Sequence, residues 1–173
     1  MVPELQEPMP EIRGERVTLE PMEAGHAERL HAIRATPEVA AWWGPPEDDF
    51  PLHDEPTATR FAIVVDDEVE GLIQFSEENE PDYRHAEVDV YIAPEHHGRG
   101  LGTDAIVAMC GHLMEVRGHH RVVLSVDTEN ERATRSYEKS GFRRVGVMRY
   151  SGRNYRTGGW SDEYFMELVR PPV

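Results

Sequence analysis

Three glycines at alternate positions, Gly98, Gly100 and Gly102, lie in the segment APEHHGRGLGTDA, just ahead of a helix-forming run. Glycine reaches positive φ without steric cost and has no Cβ, so such a turn can aim successive backbone N–H groups into one concavity. The free N–H groups and positive dipole end of the following helix add to it, and the combination suits a phosphate or pyrophosphate. Tight packing alone could also require these glycines, so the spacing leaves both readings open. It does exclude two familiar phosphate loops. The dinucleotide fingerprint needs G-x-G-x-x-G in a first βα turn, and the triphosphate loop needs Gly-Lys-Ser/Thr; neither occurs here.

Other chemistry-bearing residues are less suggestive. His96-His97 and His119-His120 are adjacent pairs that rarely aim at one ion, and no H-x-x-x-H or H-E-x-x-H spacing occurs, so no metal is expected. The single cysteine, Cys110, lies among apolar neighbours in AIVAMCGHLM; it has no internal disulfide partner and is expected to pack in a helix.

Strands alternating with helices must position these groups. Val17 and Leu19 point one way as a first strand, and Ala27, Leu30 and Ile33 form a helical face that Pro37 closes. An irregular, acidic, Pro-rich stretch follows, WWGPPEDDFPLHDEPTAT. Next come three strand-like runs, RFAIVVD, EVEGLIQFSEE and HAEVDVYIA, the first two joined by a short turn at Asp66 to Glu68. After the glycines, Ile106, Met109, Cys110, Leu113 and Met114 recur at helical spacing. RVVLSVD reads as a buried strand, ENERATRSYEKSGF as a helix closed by Gly141, and FRRVGVM and DEYFMELV as two last strands.

With 173 residues and 39% hydrophobic content, the chain fits one α/β domain over residues 1–173, with 1–14 an irregular lead segment. The net charge of -15, from 33 acidic against 18 basic residues, opposes nucleic-acid binding and favours a cationic small molecule, although the same acids could serve solubility alone. No 18-residue apolar run and no basic-then-apolar leader occur, so a cytoplasmic address and no membrane partner are expected.

Together the glycine segment and NERATRSYEKSGF resemble the GNAT superfamily of acyl-CoA-dependent N-acyltransferases. That family has a Q/R-x-x-G-x-G/A loop for the coenzyme A pyrophosphate, then a helix with the pattern N-x-x-A-x-x-x-Y-E-K-x-G-F. Here the loop is His97-Gly98-Arg99-Gly100-Leu101-Gly102, followed by Thr103, with His97 where Gln or Arg is usual; the downstream match holds at Asn130, Ala133, Tyr137, Glu138, Lys139, Gly141 and Phe142. The resemblance covers Arg16 to about Val169. It implies a mixed central sheet of about six to seven strands flanked by about four helices, with acetyl-CoA as co-substrate.

The same resemblance makes Val90, Tyr91 and Ile92 the strand that pairs with the pantetheine arm, and a backbone N–H there could polarise the thioester carbonyl. An amine must be neutral to attack, so a carboxylate is expected to take its proton. Glu87, Asp89 and Tyr91 alternate onto one strand face, which makes Asp89 the first candidate base and Glu87 the second. Tyr137 occupies the family's general-acid position.

For the acceptor, PEVAAWWGPPEDD and SEENEPDYRHAEVD resemble the aminoglycoside 6'-N-acetyltransferase branch. By that resemblance Trp42 and Trp43 wall the acceptor pocket, and Glu77, Glu78, Glu80, Asp82, Asp89 and Asp127 attract or bind its ammonium groups. Gly158-Gly159 before Trp160 could shape another wall. The expected activity is acetyl transfer in a ternary complex to an aminoglycoside-like polycationic amine, by a monomer or homodimer. Alternatives are an N-terminal protein acetyltransferase of the ribosomal-protein-modifying type and a non-catalytic acyl-CoA-binding sensor.

Overall fold

The computed structural model describes residues 9–53, 55 and 57–171. Its centre is one eight-stranded sheet in the order β1-β2-β3-β4-β5-β6-β8-β7. In chain order the elements are β1 (Ile12–Arg13), β2 (Thr18–Pro21), α1 (Ala27–Arg34), α2 (Pro37–Trp43), β3 (Thr59–Val65), β4 (Glu68–Glu78) and β5 (His85–Ile92). Then come α3 (Leu101–Glu115), β6 (Arg121–Asp127), α4 (Glu131–Lys139), β7 (Arg143–Arg153) and β8 (Trp160–Val169).

Most of these elements follow the hydrophobic periodicity, and the differences have local causes. Pro37 ends α1, as expected, but it also opens α2 at the first helical turn, where a missing N–H costs nothing and the fixed φ fits. Trp42 and Trp43 are therefore the last residues of a helix rather than the start of a loop, and Gly44 at φ 74 closes it. Ile12–Arg13, in the segment expected to be irregular, pairs with Leu19 and Thr18. These two short elements account for the eighth strand and the fourth helix. The β3–β4 hairpin turns on Asp66 and Asp67 at φ 49 and 65, the double positive φ that suits two-residue hairpins.

Each face of the sheet has its own apolar cluster. Val88 and Ile92 of β5 join α3, with Ile106, Met109 and Leu113, in one cluster that also takes Tyr137 of α4. Tyr91 points the other way, toward Leu30, Ile33 and Val39 of α1 and α2. This is the period of two expected of a strand buried on both faces. One junction breaks the sheet's regularity: β5 and β6 run parallel and pair only through Ala86↔Val122 and Glu87↔Val123. Beyond those pairs the strands diverge, whereas β4 stays paired with β5 as far as Gly71↔Ile92. The resulting gap passes through the sheet, so residues from both faces can line one cleft.

Candidate active site

Gly98 and Gly100 sit at φ 77 and 79, the left-handed region that favours glycine, and Gly100 caps α3. Gly102 does not need that freedom: a Cβ there would meet Ile92 and Ser136 at 3.5 and 3.8 Å, ordinary contact distances. The first N–H groups of α3 have no intrahelical acceptor and open onto a cleft of about 320 Å³ lined by His97, Gly98, Gly100, Leu101, Gly102 and Thr103. Asp104, the acidic residue of the first turn, is turned away: its carboxylate takes the backbone N–H groups of Glu15, Arg16 and Val17 at 2.8–3.0 Å. Arg16 in turn donates to the Arg99 carbonyl, which bolts the loop to the start of the chain.

Across the gap, α4 presents Arg132, Arg135 and Lys139 to the same cleft, against one acid, Glu38. A strongly acidic chain thus places three cations beside a helix N-terminus, which fits a ligand with several phosphates. The family pattern named Lys139 but not Arg132 or Arg135, whose spacing of three and four residues on the same amphipathic helix was the available signal. Thr103 and Ser136 hydroxyls meet at 2.8 Å and tie α3 to α4 beneath it. Asn130 accepts from the Ala133 N–H as the N-cap of α4, so its side chain positions the helix.

The free edge of β5 forms the cleft floor. The Val90 N–H is held by Asp89 Oδ1 at 3.0 Å and the Ile92 carbonyl by His97 Nε2 at 2.8 Å, so the backbone groups of alternate residues face the gap. A carbonyl needs a donor, which puts the His97 proton on Nε2. Burial also holds the His97 pKa below its ordinary value, keeping the ring neutral. The Tyr91 side chain takes no part at the edge; its hydroxyl donates to the Leu30 carbonyl at 3.0 Å and its ring meets Trp43 edge-on at 4.9 Å.

A second cavity, of about 260 Å³, joins the first along Trp42, Trp43, Val90, Asn130, Ala133 and Tyr137. Asp89, Asp127 and Glu163 supply its carboxylates. Among the described residues neither Asp89 nor Glu163 has an ion-pair partner; Glu163 accepts instead from the Ser151 hydroxyl at 2.7 Å. Asp89 is exposed at the cleft mouth, with protein atoms crowded around its carboxylate. That crowding pushes its carboxyl up to about 7, opposed by the Val90 N–H and reinforced by the charges of Glu87 and Glu163. Tyr137 is 4% exposed, and burial first, then the Asp89 charge, holds its phenol far above the ordinary value. Asp89 and Tyr137 come from opposite faces of the sheet and share the cavity because the splayed strands leave it open.

Several expected acceptor residues lie elsewhere. Glu77 is a structural partner: it takes a two-pronged bond from Arg117 at 2.6 Å and lies 2.7 Å from the buried His119 ring. Those partners hold its carboxyl below the usual range. Glu78, Glu80 and Asp82 are exposed around the β4–β5 turn, and none lines either cavity. The register shows why: Glu78 pairs with His85, four residues or roughly 13 Å along the strand from Asp89. Glu87 also lines neither cavity and acts on Asp89 only through its charge. Arg99 contributes a carbonyl to Arg16 rather than a cleft wall. Conversely, Glu163, Ser161 and Arg153 line the acceptor cavity from the last hairpin, a contribution the sequence did not signal. Among the described residues no cluster of three His, Cys, Asp or Glu side chains is placed to hold a metal.

Comparison with known proteins shows the family and the fold. The chain is 31% identical over 136 residues to spermidine N(1)-acetyltransferase of Escherichia coli K12, covering 73% of this chain and 72% of that protein. It superposes with a TM-score of 0.77 and 25% identity on the spermidine N-acetyltransferase of Vibrio cholerae in complex with CoA and spermine, covering 90% of this chain and 96% of that one. The aminoglycoside acetyltransferase AAC(6')-Ib in complex with coenzyme A and kanamycin shares the fold at a TM-score of 0.73 and 22% identity, covering 89% and 95%. The Acetyltransferase (GNAT) domain family model matches residues 16–143, which contain the glycine loop, the splayed strand and the helix carrying Tyr137. The chain belongs to the GNAT family and is an acetyl-CoA-dependent N-acetyltransferase.

Proposed function

We propose that the acceptor is a polycationic primary amine, with linear polyamines first and aminoglycosides second. The observation that carries this reading is a cavity with two unpaired carboxylates, Asp89 and Glu163, and two tryptophans, joined directly to the coenzyme cleft. Carboxylates and indole faces both favour ammonium groups, and the net charge of -15 draws polycations toward the protein. The curated relatives that act on spermidine support the order of preference. The pair of tryptophans, and the fold shared with the kanamycin complex, keep an aminoglycoside second.

Acetyl-CoA supplies the acetyl thioester; a C–N bond forms to the acceptor amine as the C–S bond breaks. Asp89 takes a proton from the incoming ammonium, and its pKa near 7 suits a base working near neutral pH. Tyr137, kept protonated by burial, donates its hydroxyl proton to the departing sulfur, and the second proton shed by the acetylated nitrogen as the amide forms restores it. Arg132, Arg135, Lys139 and the α3 N-terminus hold the phosphates, and the edge of β5 at Val90 and Ile92 aligns the thioester arm.

A panel of spermidine, spermine, kanamycin and peptides beginning with Ser or Ala, each assayed with acetyl-CoA, tests this. The polyamines should show the highest kcat/KM, and their advantage should shrink with salt, because attraction between exposed charges is screened over about 10 Å at 0.1 M ionic strength. A peptide outperforming every polycation would replace the acceptor by a protein N-terminus. Coenzyme binding without turnover of any amine would point to a sensor.

A further inference from the structure

Of the three carboxylates in the acceptor cavity, Asp127 alone has a cation on it among the described residues, and that cation belongs to the protein. The Arg156 guanidinium lies 3.3 Å from Asp127 and 2.5 Å from Glu129, and its carbon sits 4.0 Å from the centre of the Trp42 ring. An indole face on one side and carboxylates on the other is the environment a substrate ammonium would seek.

The loop that carries Arg156 is built to hold it there. Between β7 and β8, the buried Asn154 accepts the backbone N–H groups of Arg156 and Thr157 on its side-chain oxygen at 3.0 and 3.1 Å. The Asn154 backbone bonds to Gly158 and Gly159 at 2.8 and 2.9 Å, closing the loop on itself. The Arg156 side chain is 26% exposed and does not itself line the cavity, but Trp42 and Asp127, which it covers, both do. Inside the same cavity, the Ser161 hydroxyl has no partner although the residue is only 7% exposed, which marks polar capacity that a ligand can use.

We infer that Arg156 is a tethered cation that fills one ammonium subsite, the one formed by Trp42 and Asp127, and so limits how many charges an acceptor can place in the cavity. The inference rests on the amine-acceptor reading above. One acceptor nitrogen lies at Asp89 and a second at Glu163; a third, in a longer polyamine, meets Arg156 instead of a free carboxylate. In a chain with a net charge of -15, a fixed positive charge on Trp42 and Asp127 separates short diamines from longer polyamines.

Two variants test it: Arg156→Ala, which empties the subsite, and Arg156→Gln, which keeps a side chain over Trp42 without the charge. Arg13→Ala, at an 80% exposed side chain, makes the same change in net charge elsewhere. Calorimetry on coenzyme A-saturated protein would give the Kd for spermine and for 1,3-diaminopropane, alongside kcat/KM for both. Both Arg156 variants should bind spermine about tenfold more tightly, the effect of roughly 1.4 kcal/mol. Diaminopropane binding and the Kd for coenzyme A should stay within about twofold, since their sites lie elsewhere. Unchanged or weaker spermine binding would overturn the inference, as would equal tightening for both amines or equal tightening in Arg13→Ala. If no amine is acetylated by any of these proteins but spermine still binds tighter to the Arg156 variants, the subsite stands and the acetylation of polyamines fails.

Discussion

The carboxylate of Asp89 accepts the backbone N–H of its own neighbour, Val90, at 3.0 Å. In the proposed mechanism the Val90 N–H polarises the thioester carbonyl, so the proposed base holds the very group that would do so, and the two functions are coupled. A carboxylate that turns to an ammonium or gains a proton becomes a poorer acceptor for Val90, which frees that N–H to polarise the carbonyl. Binding of the acceptor and activation of the donor then share one hydrogen bond.

If Asp89 is the base, it must be ionised to act, so kcat/KM should rise with pH through about 7. Asp89→Asn should remove that limb and lower kcat by about 10² to 10⁴, the usual contribution of a positioned base. A pH–rate series on both proteins checks this, and an unchanged limb in the variant would assign it to another group.

The same pKa sets a stability trend of definite sign. Folding raises the Asp89 pKa from its ordinary 3.8 to about 7, so between those values the folded state binds more protons than the unfolded one. Stability from this group is full below the lower value and is lost as pH rises to the upper. Asp89→Asn should accordingly melt higher than the native protein at pH 8 and nearly equal to it at pH 4, by calorimetry without ligands.

Tyr137→Phe should lower kcat about a hundredfold while leaving the Kd for coenzyme A within twofold, because the ring still fills its site and only the proton donor is lost. Unchanged turnover would mean that water protonates the sulfur or that product release limits the rate.

Gly100 and Gly102 should fail in different ways. An Ala at Gly100 must hold φ 79 and would bring its Cβ to 2.9 Å from the Arg16 guanidinium, so a loss of about 1–2 kcal/mol is expected from the left-handed backbone. A Val at Gly102 meets no such strain, but its methyls enter the gap between Ile92 and Ser136. Melting curves should separate Gly100→Ala from the native protein, and calorimetry should show Gly102→Val folded with coenzyme A affinity reduced more than tenfold.

Glu77→Gln should behave as a stability variant. It leaves Arg117 and the buried His119 without their shared carboxylate, a loss of about 1–3 kcal/mol. The KM for any amine should not move, and Glu78→Gln should be neutral in both respects; a raised KM in either would return the hairpin to the acceptor site.

The sequence by itself determined most of the fold and the elements that frame the candidate coenzyme cleft, because both depend on local chemistry. Periodicities of two and 3.6 set the strands and helices, the glycines fixed where α3 could begin, and the segment from Asn130 to Phe142 supplied its own cap, tyrosine and closing glycine. What only the tertiary structure decided is which distant carboxylates face the acceptor. Glu77 and Asp89 lie on neighbouring strands, yet one is neutralised by Arg117 and the other is left unpaired in a cleft. Trp42 reads as a free aromatic wall until Arg156, more than a hundred residues later, is found lying on it. Glu163 enters the site because β8 pairs with β6, which brings it opposite Asp127. Charge and aromatic content are legible along a chain, but their pairing is set by strand order and register, which act between residues that the sequence keeps far apart.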